Sequence, residues 1–161
     1  MSGSVRPPHL RLRFLALVCA GGAAGTALRA GLTLAVPHLG RVPLAILTAN
    51  LVGAFALGWL LEALALRGPD EGPRRAARLG LGTGLIGSFT TYSALSADTA
   101  ALLGAASPAE VLAGLAYGLG SVLAGLAAAF AGIACAAALH RRRTDATERT
   151  GGAGGPGGGQ P

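Results

Sequence analysis

The sequence predicts an all-α membrane protein with four transmembrane helices, the third of them broken near mid-membrane. Three observations carry this expectation. The chain is 52% apolar and only 12% charged, where an ordinary soluble domain has about 25% charged residues. Its mean hydropathy is +0.56. Its apolar residues also gather into four runs, each reaching the ~20 residues a helix needs to cross ~30 Å of hydrocarbon. At 161 residues the chain has single-domain length.

A basic segment, residues 1–13, carries Arg6, Arg11 and Arg13. The first run extends from Phe14 to Val36. A signal peptide is the alternative for this region, but the run continues past Arg29 and is too long for a signal h-region. Cys19 is preceded by Val18, where a lipoprotein site wants a small residue. The second run spans Pro43 to Leu66. A turn-rich charged loop, Arg67-Gly68-Pro69-Asp70-Glu71-Gly72-Pro73, follows it. The third run spans Leu79 to Leu103. The fourth, Ala109 to Leu139, is longer than a bilayer requires, so it is expected to tilt or to project. The membrane domain is thus residues 14–139. Residues 140–161, arginines followed by Gly and Pro, are expected to be a disordered tail.

The formal charge of +6 comes from arginine alone, since the chain has no lysine. In a soluble protein such a balance would suggest nucleic acid; here the arginines fall between apolar runs and act as topology signals. Four spans place the N-terminus, the 67–78 loop and the C-terminal tail on one side, with eleven arginines, against Arg41 alone on the other. By the positive-inside rule both termini are cytoplasmic, in a multi-pass protein of the plasma membrane. Cys19 and Cys135 lie within apolar runs, with no spacing suited to a disulfide framework or a metal.

Polar residues at membrane depth are the candidates for function. Arg29 lies within the first run, where an arginine costs roughly 2.5–3.5 kcal/mol near the bilayer centre. It either snorkels to the interface or braces the fold. Asn50 in the second run needs hydrogen-bond partners, either on another helix or on an anion. In the third run Gly82, Gly84 and Gly87 precede Ser88, Thr90, Thr91 and Ser93. Helix-weakening residues and hydroxyls together predict an unwound stretch lining a cavity or holding a cation; a continuous helix with back-bonded hydroxyls is the alternative. Asp98 follows in the same run, either as an ion site or as a partner for an arginine. Tyr117 and Ser121 share one face of the fourth run, continued by Gly125, as a polar track or a packing seam.

At these residues the sequence resembles the CrcB/Fluc family of fluoride-specific ion channels. The resemblance runs from about Phe14 to Leu139. Gly21-Gly22-Ala23-Ala24-Gly25-Thr26-Ala27-Leu28-Arg29 looks like the family's glycine-rich first helix. Asn50-Leu51-Val52-Gly53-Ala54-Phe55 looks like its second-helix asparagine motif. Gly84 to Ser93 is similar to its third-helix break. The resemblance implies passive fluoride export through an antiparallel dual-topology dimer. It also implies a structural, untransported Na⁺ at the dimer centre, held by backbone carbonyls at Gly87 and Thr90. Asn50, Tyr92, Ser93, Tyr117 and Ser121 match fluoride-pathway positions, and Arg29 and Asp98 match structural ones. Aromatic edges can face an anion; of the family's two phenylalanine positions, one is Tyr92 here and the other Leu95. Ile46 stands where a threonine is usual.

The arginine bias bears on assembly. A homodimer of dual topology must insert both ways, and a strong bias disfavours that. A heterodimer with an oppositely oriented paralogue is therefore expected, with the partner supplying the missing aromatic. A small-multidrug-type coupled transporter is the alternative function, but it needs a carboxylate in the first helix, and none is there. An enzyme is disfavoured because the runs hold no paired carboxylates, His cluster or nucleophile–base pair.

Overall fold

The computed structural model describes residues 11–36, 43–104 and 107–152. Arg6, Arg41 and the tail beyond residue 152 lie outside them. Among the described residues every regular element is helical. Helix α1 is Leu12–Ala35 and α2 is Leu44–Ala65. A short α3, Gly72–Ala77, runs directly into a π-helical stretch, π1, Arg78–Ile86, and then into α4, Gly87–Phe89. After a break come α5, Tyr92–Leu103, and α6, Pro108–Gly152.

Among the described residues three helices, α1, α2 and α6, are long and apolar enough to cross a membrane. The expected third span is instead a composite, with α3, π1 and α4 on one side of the break and α5 on the other. It also begins earlier than its apolar run, because the helix starts at Gly72 with Pro73 in its first turn, a position proline favours. The fourth element departs further from expectation. Where a disordered tail was expected from residue 140, α6 stays helical through Arg141–Arg143 to Gly152. Its last turns contain no glycine or proline before Gly151. The hydroxyls of Thr144 and Thr147 donate back to the carbonyls of Arg141 and Arg143, at 2.8 and 2.9 Å.

Packing is by backbone contact between small residues, as is usual for helices in lipid. Helix α1 runs parallel to π1 and α4. A Cβ at Gly21 would collide with the Gly80 carbonyl, one at Gly25 with the Leu85 carbonyl, and one at Gly84 would come to 2.8 Å from the Val18 carbonyl. Helices α2 and α6 are likewise parallel, with Gly58 against Ala129 and Gly132 against Phe55 and Trp59. Helix α5 folds back along the start of α6, placing Leu102 at Gly114 and Thr99 at Gly118. The buried stripe on α6 therefore reads Gly114, Tyr117 and Ser121, then, three turns further on, Gly132 and Ala136, one face of the helix. Cys19 and Cys135 are free and exposed.

These pairings gather the basic regions. Arg67 stands beside His140 and Arg143, and Arg75 and Arg78 stand beside Phe14 and Leu15. The start of α1, the α2–α3 loop and the late part of α6 thus share one end of the bundle. In that loop Gly68 takes φ +117, a conformation that side chains rarely adopt. Asp70 accepts two hydrogen bonds from Arg78, at 3.0 and 2.8 Å, with Arg75 at 3.5 Å.

The Arg78 hydrogen bond holds the Asp70 carboxyl below its usual range, against a smaller opposing effect of desolvation. A lowered folded pKa means that the stabilisation is present above the unfolded value, about 3.9, and is lost as pH falls below it. Because the pair is exposed, Asp70→Asn is expected to lower the melting temperature by no more than about 3 °C near neutral pH. The difference from the parent should vanish in acid. A melting series against pH checks this, and a gap that widens in acid would exclude it.

Candidate functional site

The helix break is two residues long. Thr90 has ψ 156° and Thr91 has φ −150° and ψ 118°, both extended. The expected unwinding from Gly87 to Ser93 is thus confined to Thr90 and Thr91, for Gly87–Phe89, Tyr92 and Ser93 are helical. The upstream glycines widen the helix into π1 and admit α1, and they leave it unbroken. Both alternatives drawn from the sequence have a counterpart here. The Thr90 hydroxyl bonds back to the Ile86 carbonyl at 3.0 Å, one turn earlier, and the chain leaves the helix immediately after.

Asn50 on α2 holds the break open. Its Oδ1 accepts the Thr91 N–H at 2.8 Å and its Nδ2 donates to the Thr91 carbonyl at 3.1 Å. The amide side chain thereby replaces a peptide partner on both sides of one residue. In a continuous helix the Thr91 N–H would return to the Gly87 carbonyl; here that carbonyl loses its donor. Gly53, one turn on along α2, lets Thr90 approach, since a Cβ there would collide with the Thr90 methyl. The Thr91 hydroxyl then caps α5, accepting from the Ala94 N–H at 3.2 Å. It also lies 3.1 Å from the Ser93 hydroxyl.

A cleft of about 320 Å³ opens at this point. It is lined by Asn50 and Gly53 of α2, Thr90 and Thr91 of the break, Tyr92 and Leu95 of α5, and Ser121 and Gly125 of α6. Of the residues singled out from sequence, Asn50, Thr90, Tyr92 and Ser121 are therefore brought together. Tyr92 is 80% exposed at the rim. Ser93 touches the site through Thr91 but does not line the cleft. Tyr117 lies one turn from Ser121, buried with Leu95 and Leu102 in a cluster that Leu47 covers. The hydroxyls of Tyr117 and Ser121 are buried with no hydrogen-bond partner among the described residues. Gly87 is helical and faces outward just before the break. Arg29 and Asp98 are half-buried and line no part of the cleft.

Thr91 had no assigned role in the sequence-based expectation, and it is central here. It is 7% exposed, pairs with Asn50 through both backbone groups and caps α5. A local signal for it existed, since a threonine three residues before Ala94 at the head of an apolar run is an N-cap pattern.

Electrostatically the break presents two ends. The first turn of α5, with its free N–H groups, carries partial positive charge towards the cleft, and the carbonyl end of α4 carries partial negative charge. Among the described residues no cluster of three His, Cys, Asp or Glu occurs. A cation here would therefore have to rely on backbone and hydroxyl oxygens.

Comparison with known proteins places this architecture. The profile of the family "CrcB-like protein, Camphor Resistance (CrcB)" matches residues 16–133, which takes in α1, α2, the break and most of α6. The chain belongs to the CrcB family. Among its CrcB relatives is fluoride-specific ion channel FluC 2 of Leifsonia xyli, 50% identical over 137 residues, covering 85% of this chain and 92% of that one. FluC 1 of Cutibacterium acnes is 44% identical, covering 80% and 88%. FluC of Thermus thermophilus is 42% identical, covering 76% and 94%. All three are named as ion channels, not as enzymes.

Proposed function

We propose that this chain is a subunit of a fluoride-specific ion channel that lets fluoride leave the cytoplasm passively. The observation that carries the proposal is the break at Thr90–Thr91, held open by Asn50 above a cleft in a chain whose relatives are named as fluoride channels. Fluoride is small and strongly hydrated, so its pathway must replace water with donors. Asn50 uses one amide hydrogen on Thr91 and keeps a second for an anion. The Ser121 and Tyr117 hydroxyls, buried without partners among the described residues, supply further donors on the same side of α6. The edge of the Tyr92 ring adds partial positive charge at the rim.

In this proposal α3, π1, α4 and α5 together form the third of four spans, and the gathered basic end faces the cytoplasm. The carbonyls of Gly87 and Thr90 fit a structural Na⁺, the first having lost its helical donor and the second belonging to extended backbone. A hard cation takes oxygen ligands. Bound at the centre of an antiparallel dimer, it would neutralise the carbonyl end of the break without being transported.

The partner is an oppositely oriented paralogue. Its support is the one-ended distribution of arginine, which favours a single orientation for this chain, and the relatives' numbered names FluC 1 and FluC 2. Leu95, buried against Leu102 and Tyr117, offers no aromatic edge, so the partner would supply one. Fluoride-electrode efflux from liposomes tests this assembly. The chain with its paralogue is expected to empty fluoride-loaded vesicles, and to slow markedly when Na⁺ is replaced by a large organic cation. The chain alone is expected to stay near the protein-free rate. Rapid efflux from the purified chain alone would overturn the heterodimer, and Na⁺-independent efflux would overturn the ion.

A further inference from the structure

A second cleft, of about 140 Å³, lies far from the break, between the late turns of α2 and α6. Below it the two helices touch backbone to backbone at Gly58 and Gly132. Its floor is apolar, from Trp59, Ala63, Ala136 and Leu139, and its rim is basic, from Arg67, His140 and Arg143. Among the described residues no carboxylate lines it. Neither Arg67 nor Arg143 forms an ion pair with a described residue, whereas the loop carboxylate Asp70 is engaged by Arg75 and Arg78. Two arginines, one at the end of α2 and one on α6, thus converge over an apolar slot with no counter-charge among the described residues.

We propose that this cleft binds an anionic phospholipid. The phosphate sits between Arg67 and Arg143, with His140 as an additional donor, and an acyl chain runs down over Ala63 and Ala136 to Trp59. Charge complementarity selects the headgroup, since basic pockets between membrane helices attract anionic lipid. The position of Trp59 matches as well: it is 38% exposed and about 12 Å of helix from Arg67 at 1.5 Å per residue, and tryptophan rings favour the interfacial region. Guanidinium forks suit phosphate oxygens better than ammonium groups do. The proposal requires α2 and α6 to cross the membrane and is independent of what the protein conducts.

Trp59 is the only tryptophan in the chain, so the occupant of the slot can be read directly. The full chain is reconstituted in phosphatidylcholine vesicles containing a small fraction of lipid brominated on its acyl chains. Brominated phosphatidylglycerol is expected to quench Trp59 several-fold more than the same fraction of brominated phosphatidylcholine. The variant carrying Arg67→Gln and Arg143→Gln should lose this several-fold preference, each arginine carrying part of it. Lysine at both positions should retain part of it. Arg74→Gln, whose guanidinium bonds to the Pro69 carbonyl outside the cleft, should leave it intact. Equal quenching by the two lipids would overturn the proposal, as would a preference that survives the double glutamine variant. Loss of the preference on adding inorganic phosphate would also overturn it, since the site would then be one for free anions.

Discussion

Replacing Asn50 with alanine is expected to reduce fluoride efflux to the protein-free rate, in whichever assembly conducts, and to destabilise the fold by about 2–4 kcal/mol. The two effects share one origin. Asn50 makes two hydrogen bonds to Thr91, one to its N–H and one to its carbonyl, and neither group has a helical partner at the break. Alanine leaves both without a partner, and in a setting poor in water each costs about 1–3 kcal/mol. The chain would then regain those bonds by closing the break into a continuous helix, which returns the Thr91 N–H to Gly87. Closure would withdraw the Gly87 carbonyl, turn the first turn of α5 away from the cleft and remove the Asn50 donor, all at once. Thr48→Ala, at an exposed position on the same helix, is the control and should conduct normally. Fluoride-electrode efflux beside a melting curve provides both readouts; normal efflux from Asn50→Ala would remove this residue from the pathway.

The second large effect concerns α2 and α6. Gly132→Ala is expected to destabilise the protein by about 1–3 kcal/mol, the usual cost of overpacking. Its added methyl would meet the Phe55 carbonyl and come to 2.8 Å from the Trp59 nitrogen. Both are backbone atoms, so no rotamer change relieves the clash and α2 as a whole must move. Gly120→Ala, on the same helix but with nothing within 4 Å of a new Cβ, should instead stabilise by about 0.8–1 kcal/mol through helix propensity. Opposite signs for one chemical change on one helix separate packing from propensity. If both variants melt alike, the close approach of α2 and α6 is wrong.

The sequence revealed more about composition and spacing than about local helix geometry. Runs of apolar residues marked α1, α2 and the start of α6 to within a few residues, because the bilayer imposes a length that the sequence must meet. The break announced itself through hydroxyls where hydrocarbon disfavours them. Its position did not, because glycine counts equally for a bend, a widened turn and a close approach. Gly82 and Gly84 serve the latter two, and only Asn50, forty-one residues away from Thr91, decides where the helix opens. The π-helical turn was illegible, since one additional residue per turn barely alters a hydropathy profile. Helix α6 runs on beyond residue 140 because the arginine-rich stretch lacks the glycine and proline that would end a helix; the Gly- and Pro-rich composition that suggested disorder begins only at Gly151. Asn50, Tyr92 and Ser121 could be named individually, but their convergence on one cleft depends on the parallel pairing of α2 with α6.

That parallel pairing also governs how the protein can be made. Two neighbouring helices that run the same way cannot be joined by a tight hairpin, so α2 meets its long-range partner only after α6 has left the ribosome. Until Thr91 is synthesised, the amide of Asn50 sits in the nascent chain with no mate. The last helix to be translated therefore closes the structure. A chain truncated before Ala129 would leave Gly58 of α2 without the backbone it packs against, a substrate for quality-control proteases.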